Sequence, residues 1–461
     1  MLARGIRSYH RPGRLEQALT LAAEGGVPLA GGTRLLASDR EVANVLDLSA
    51  LELGGVDRRD GDLHIGATAT LQDLVDQPLA HAATAGLLPA ACRAHSGSRT
   101  LRSMATVGGE AVAAAPDSET VAALLALNAI VVVQRRGDEP VESPALRFFK
   151  KRPPGDLAGG GLVTSITLPG TPDGAALERV AVLPSAPSLV SVAVALSFTG
   201  DRLGRARIAL TGLSGPPARV PAAEACLEGS AGEEAAFLAA AAEVQRSAFA
   251  ADAHAPASYR QAVAGTLTVR ALRRAAARAR GEKMPEPPRR RPPASRRRVA
   301  ELPYFTSGRL EVTVNGRSVS ASVEARTTLL AFLRQEGFFG VKHGCETGEC
   351  GACTVLLDSR PVVSCLTLAL RAQGRQVVTV EGLGQPEALH PIQQAFVDTG
   401  AIQCGFCTPA MELLAKALLD AVPDPSEAEV RDALSGSLCR CTGYLKPVQA
   451  VLQAAAQVKG R

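Results

Sequence analysis

The sequence holds no run of eighteen uninterrupted apolar residues, so a membrane-spanning helix is not expected. Its opening stretch, MLARGIRSYHRPGRLEQALT, has no continuous apolar segment. Neither a secretory nor a twin-arginine signal is expected there, and a cytoplasmic location is. Cysteine is too sparse for a disulfide scaffold, at ten in 461 residues. No repeat of solenoid type is visible. A global charge excess is missing too, although the formal net charge is +5. Nine Lys/Arg against two Glu between Arg278 and Arg298 give a local balance of +7, so the rest sums to about −2. That leaves no general case for nucleic acid or an anionic membrane.

What is present is an ordinary globular composition, 46% hydrophobic and 21% charged, in a chain long enough for two to four domains. The clearest joint is EKMPEPPRRRPPASRRRVAELP, residues 282–303. Five prolines between 285 and 293 forbid regular helix, and the arginine runs repel one another. A solvated tether is the plain reading, and an Arg-lined strip for an acidic partner the sharper one.

Mixed α/β patterns precede the joint. Leu15–Gly25 has helical spacing and a glycine stop. VPLAGGTRLL reads as strand, glycine turn and helix start. DLHIGATATLQDLV reads as a strand into a capped helix, and ETVAALLALNAIVVVQ as a helix into a strand. Two alternating runs break at Thr199-Gly200-Asp201 as a hairpin, and Ala257–Arg280 is a long amphipathic helix. After the joint, Asn315-Gly316 joins a second hairpin, and TTLLAFLRQEG is a helix stopped by Gly337.

Eight of the ten cysteines fall between Cys345 and Cys441. Cys345, Cys350, Cys353 and Cys365 spell C-x4-C-x2-C-x11-C, the plant-type [2Fe–2S] spacing, in a loop punctuated by Gly340, Gly344, Gly348 and Gly351. Zinc knuckles usually pair two C-x2-C units, which this is not. Cys404, Cys407, Cys439 and Cys441 spell C-x2-C-x31-C-x-C, each pair just before a helical pattern. Two helix N-termini would favour an anionic cluster, with Thr408-Pro409 and Thr442-Gly443 as capping and first-turn residues. Zinc stays open for that spacing alone. Cys92 and Cys226 have no partner at ligand spacing and read as structural thiols, and His343 as a loop residue beside a complete ligand set.

At these residues a family resemblance emerges. KHGCETGECGACTV, GAIQCGFCTPAM and SGSLCRCTGY make residues 308–455 resemble the small iron–sulfur subunit of the xanthine dehydrogenase / aldehyde oxidase / carbon monoxide dehydrogenase family of molybdenum hydroxylases. The resemblance implies an α+β multidomain chain. A β-grasp [2Fe–2S] ferredoxin domain (304–381) would hold the cluster nearer the flavin, and a four-helix [2Fe–2S] domain (382–461) the one nearer the molybdenum. Gln403 and Cys441 stand where relatives touch the pterin of the molybdenum cofactor. Residues 1–285 resemble the flavin subunit of the same family. That implies a PCMH-type FAD-binding α/β region (1–172) and a CO-dehydrogenase flavoprotein C-terminal-like domain (173–281). Ala30, Gly31, Gly32, Thr33, Arg34 and Leu35 match its first FAD loop, and Thr106, Gly108, Gly109 and Glu110 its second. In both loops paired glycines would free backbone N–H groups for a diphosphate.

The departures fall in those loops. Relatives usually carry Asn where Glu110 stands and Asp where Arg34 stands. A carboxylate cannot donate to a diphosphate. Arg34 either pairs with Glu110 or itself neutralises the diphosphate. Glu119 stands for the usual Asp, Gly161 for a usual Glu, and charged residues expected around Ala181–Leu189 are missing.

The three regions use up the chain, so a molybdopterin domain is expected on a partner subunit. The resemblance thus implies an electron-transfer subunit. Electrons from the partner would pass two [2Fe–2S] clusters and FAD to an external acceptor: NAD, oxygen, quinone or protein. Two other readings are an iron–sulfur carrier with a degenerate flavin site and a self-sufficient flavin oxidase.

Overall fold

The computed structural model describes residues 5–150, 157–183, 186–281 and 299–459. No helix among them is long and apolar enough to cross a membrane. Most of the expected joint, 282–298, lies outside the described residues.

Three sheets build the first 281 residues. In the first, strands Ser8–Arg11, Asn44–Asp47 and Val27–Leu29 pair in parallel around the helix Leu15–Ala23, which ends at Gly25 with φ +91°. The second is a five-stranded antiparallel sheet, ordered 56–59, 62–66, 162–168, 130–134 and 141–144. The capped helix read from ATATLQDLV spans Leu71–Asp76. Thr70 and Asp73 form a capping box that satisfies two otherwise orphaned donors. The third sheet holds the long hairpin Ser188–Thr199 and Arg202–Leu210, flanked by Gly174–Ala181 and Ala218–Arg219. Helices Glu234–Gln245 and Ala257–Ala279 cover one face of it with Ala240, Val244, Leu267 and Leu272.

The last third forms two units. A five-stranded sheet ordered 317–324, 307–314, 376–378, 354–357 and 360–363, with the helix Leu329–Gln335, is the β-grasp ferredoxin arrangement. Its first hairpin turns at Asn315 (φ +50°) and Gly316 (φ +78°), the left-handed pair that such a turn needs. Helices Pro391–Asp398, Thr408–Ala421, Glu427–Leu434 and Leu445–Lys459 pack around Phe396, Met411, Leu418 and Val451.

Two sequence expectations fail here. The tether does not run to residue 303: Leu302–Phe305 is a strand, added antiparallel to Ser8–Arg11 at the edge of the first sheet. Four apolar and aromatic residues find their partner nearly 300 positions away, which no local pattern shows. Nor does VPLAGGTRLL continue into a helix. The Ser38 hydroxyl bonds the Leu35 carbonyl at 2.7 Å, occupying an acceptor that a helix would use. Leu35 and Leu36 instead point into the core.

That core is shared. Tyr9, Leu29, Leu36, Val45 and Met104 of the flavin-type lobe lie in one buried cluster with Leu310, Phe332, Val355 and Leu366 of the ferredoxin unit. Polar contacts cross the same boundary. Arg371 bridges to Asp47 at 2.8 Å through both carboxylate oxygens, and Tyr9 donates to Asp47 at 2.5 Å. Arg11 donates to the carbonyls of Ala300 (2.7 Å) and Leu370 (3.1 Å). Burial alone would raise the Asp47 carboxyl, but Arg371 and Tyr9 hold it below the usual range. On the surface side, Asp432 of the helical unit accepts from Arg99 (2.7 Å) and Arg102 (2.8 Å) of the flavin-type lobe.

Candidate cofactor-binding sites

The eight clustered cysteines come together as four pairs. Within the first set, the Cys350 N–H donates to Cys345 Sγ at 3.3 Å, and the Cys353 and Cys365 thiols are in hydrogen-bond contact. Within the second, Cys407 meets Cys439 and Cys404 meets Cys441. No three His, Cys, Asp or Glu side chains among the described residues close on a single ion. Pairs of thiols are what a two-iron core needs, since each iron takes two terminal thiolates beside the bridging sulfides. Four thiols in two pairs therefore fit a [2Fe–2S] core.

Burial opposes ionisation of Cys345, yet hydrogen bonds from Thr347 and Cys350 bring it down to about 7. Cys407 is pushed up to about 12 by burial and by its neighbour Cys439. Outside the sets, Cys92 is fully buried and pushed up to about 12, an unreactive core thiol. His343 faces Glu346 at 2.8 Å on the surface, away from the ligand role.

The expected caps differ. Cys407 itself precedes the helix, with Pro409 in its first turn, and no side chain caps it. The Thr442 hydroxyl donates to Cys439 Sγ at 3.1 Å and accepts from the Tyr444 N–H at 3.2 Å. Left-handed Gly443 (φ +61°) and Tyr444 (φ +67°) delay the next helix to Leu445. The Tyr444 hydroxyl accepts from the Cys439 N–H at 2.9 Å, a contact that sequence reasoning missed.

The two sets touch. The Leu438 N–H, one residue before Cys439, donates to the Cys350 carbonyl at 2.9 Å. Gly351 packs so closely on the Gly436 carbonyl that a Cβ there would stand 1.8 Å from it. On its other side the first set meets the flavin-type lobe. The Val363 N–H donates to Met104 Sδ at 3.4 Å, and Leu101 packs over Gly348. Gly32 lies against the Leu366 carbonyl, the residue after Cys365.

The donors of the flavin-type loops suit a dinucleotide diphosphate unequally. In the first loop, the backbone N–H groups of Gly32, Thr33, Arg34 and Leu35 meet no acceptor among the described residues. Gly32 is left-handed (φ +80°) and the turn closes from the Leu36 N–H to the Gly32 carbonyl, so these donors stay available to an anion. In the second loop the expectation of free donors fails. The N–H groups of Val107 and Gly108 bond the carbonyls of Ala69 (3.0 Å) and Ala67 (2.9 Å), and that of Gly109 bonds Thr106 Oγ1 (3.1 Å). These partners sit at the end of a neighbouring strand, out of reach of a motif reading.

Arg34 and Glu110 pair, at 2.6 and 2.9 Å through two parallel bonds. Ser118 Oγ adds a bond to Glu110 at 3.1 Å, and His95 Nδ1 stands 3.3 Å away. Burial would raise the Glu110 carboxyl, but His95 and Arg34 hold it far below its usual range. Glu119 is buried against Arg179 at 3.1 Å, and burial outweighs that partner, raising it. Ala30 and Gly31 line, with Thr106, a cavity of about 690 Å³ that opens between this lobe and Arg360 and Arg371 of the ferredoxin unit. Gln403 is exposed in the turn before Cys404, on the outer side of the second set.

This constellation is that of a flavin and iron–sulfur oxidoreductase component, and comparison with known proteins agrees domain by domain. Residues 4–171 match the FAD binding domain in molybdopterin dehydrogenase, and 184–275 the CO dehydrogenase flavoprotein C-terminal domain. Residues 312–376 match the 2Fe-2S iron-sulfur cluster binding domain, and 379–452 the [2Fe-2S] binding domain. The nicotine 6-hydroxylase small subunit of Paenarthrobacter nicotinovorans is 51% identical over 150 residues, 32% of this chain and 90% of that one. The aldehyde oxidoreductase of Megalodesulfovibrio gigas is 49% identical over 154 residues, but only 17% of its length is covered. A chain of carbon monoxide dehydrogenase from Hydrogenophaga pseudoflava superposes with a TM-score of 0.57 at 26% identity, over 60% of this chain and 99% of that one. The chain belongs to the molybdenum hydroxylase family, as a component with an FAD-binding region and two [2Fe–2S]-binding domains.

Proposed function

We propose that this chain is the electron-transfer subunit of a molybdenum hydroxylase, docking on a partner that carries the molybdopterin. One observation carries the reading: the three candidate sites form a contact series. The first flavin loop lies on Leu366 beside Cys365, and Cys350 is bonded to Leu438 beside Cys439. Cys345, Cys350, Cys353 and Cys365 would hold the inner cluster, and Cys404, Cys407, Cys439 and Cys441 the outer one. Bound there, the clusters supply one-electron steps and FAD couples them to two-electron chemistry.

The residues around the series support a direction for it. Cys404 and Cys441 are exposed, and the ligand turns also carry exposed Ile402, Phe406, Leu438 and Leu445. Exposed apolar side chains gathered on these turns suit a partner surface. Gln403 stands among them with an amide able to donate to and accept from a pterin edge. Electrons would enter here from a heterocycle, aldehyde or similar substrate oxidised on the partner, and leave from the flavin lobe to an external acceptor.

Iron, acid-labile sulfide and flavin per chain, measured after anaerobic purification, test this reading. Two cluster equivalents and one flavin, with a molybdenum subunit co-purifying, are expected. Clusters without flavin would favour the carrier reading, to which the engaged second loop lends its weight. Zinc in place of iron would overturn both.

A further inference from the structure

We propose that Arg34, braced by the buried Glu110, is the positive counter-charge for the FAD diphosphate, so that the first loop carries the binding duty usually shared by two. The inference rests on the flavin reading above and concerns a pair that departs from the family pattern.

Three observations carry it. First, four consecutive backbone donors of the first loop, Gly32 to Leu35, are unengaged among the described residues, whereas Val107, Gly108 and Gly109 of the second are spent on Ala69, Ala67 and Thr106. A diphosphate therefore finds its backbone donors on one side only.

Second, the ion pair is asymmetric. The Glu110 side chain is 2% exposed and that of Arg34 is 38% exposed. Both carboxylate oxygens accept from the guanidinium, through Nε and Nη2, and Ser118 and His95 complete the surroundings. Glu110 is thus enclosed by donors, while Arg34 Nη1 has no partner among the described residues and the side chain is only partly covered. A bidentate grip on one edge fixes the plane of the fork and presents its other edge.

Third, the remaining charges are arranged around this pair. Glu119 is matched by Arg179, and the half-buried Asp117 acts with Glu119 in keeping Arg34 charged. Without Arg34, a phosphate at the first loop would meet the field of Glu110, Asp117 and Glu119, the carboxylates that act on Arg34 itself. Arg34 is therefore a binding residue, and Glu110 a positioning residue acting through it.

The test compares FAD with riboflavin, which lacks the diphosphate, by flavin-fluorescence titration of the full chain with both clusters assembled and its flavin stripped. Arg34→Gln should weaken FAD by about tenfold to a hundredfold, the worth of a charge-assisted contact, and leave riboflavin unchanged. Arg34→Lys should recover part of the loss. Glu110→Gln should weaken FAD by a smaller factor, because the fork loses its brace. Raising salt should weaken FAD but not riboflavin. That comparison needs only the wild-type chain, so it holds even if a variant loses its iron.

The proposal is overturned if Glu110→Gln tightens FAD while Arg34→Gln leaves it unchanged, since Glu110 would then merely repel. It is equally overturned if FAD and riboflavin respond alike to salt and to Arg34→Gln. A wild-type chain that keeps its clusters but takes up neither flavin would sink the flavin reading itself, and this inference with it.

Discussion

Cys353 and Cys365 are buried between the ferredoxin sheet and the flavin lobe, whereas Cys404 and Cys441 are exposed on the outside of the helical unit. Both sets are two pairs of thiols. The first is drawn from one loop plus a short helical turn and sits in the core that the two lobes share. The second is drawn from two turns that precede separate helices, with a threonine and a tyrosine bonding Cys439 and its backbone. The same ligand chemistry thus takes one role at an internal joint and another at an outer face. What differs is the neighbourhood, and on the proposed reading that neighbourhood sets the place of each in the series.

The contrast can be broken in several ways. Cys353→Ser should abolish the inner cluster and, because the residue lies in the shared core, lower the melting temperature of both lobes together. Cys441→Ser should remove the outer cluster and leave the lobes' melting nearly unchanged. Iron per chain and thermal unfolding followed at both lobes measure this; equal destabilisation by the two changes would erase the distinction.

Next in size is the bridge between the fully buried Asp47 and Arg371, whose side chain is 12% exposed. Asp47→Asn should cost about 3–5 kcal/mol, the usual penalty for leaving one partner of a buried pair uncompensated. The sign with pH follows from the lowered Asp47 carboxyl. Its contribution is full above the unfolded value, near about 3.9, and is lost as pH falls through the folded one. The gap in denaturant midpoint between wild type and Asp47→Asn should therefore be constant above about pH 5 and narrow on acidification below about pH 4. A gap that widens in acid would contradict this.

At the outer face, Phe406→Ala and Leu438→Asp should leave iron and flavin per chain unchanged while weakening co-purification with a molybdenum subunit. Retention of the partner at full strength would move the docking face elsewhere. The smallest effect is expected at Arg93, half-exposed and 3.2 Å from Asp432, where replacement by Ala should shift stability by no more than about 0.5 kcal/mol.

Much of this was legible in residues with strong local signals. Cysteine spacing gave the two sets, Asn315-Gly316 the ferredoxin hairpin, and DLHIGATATLQDLV a strand followed by a capped helix. Contacts between distant segments were not legible. Glu110 is 76 positions from Arg34, so sequence could offer their pairing only as one of two alternatives. The engaged N–H groups of Val107 and Gly108 depend on two alanine carbonyls, whose side chains carry no signal at all. Leu302–Phe305 follows a run of arginine and proline, and it became a strand only because an open sheet edge was there to receive it.

That strand has a consequence for how the molecule is made. The first sheet takes three strands from residues 8–47 and its edge partner from residues 302–305. During synthesis the early strand Ser8–Arg11 keeps a bare edge until the chain has grown past residue 305. Arg11 likewise waits for the carbonyls of Ala300 and Leu370. The flavin lobe is thus completed by the first residues of the lobe that follows it. The two lobes share one sheet and one core, and one polypeptide secures one of each in every molecule.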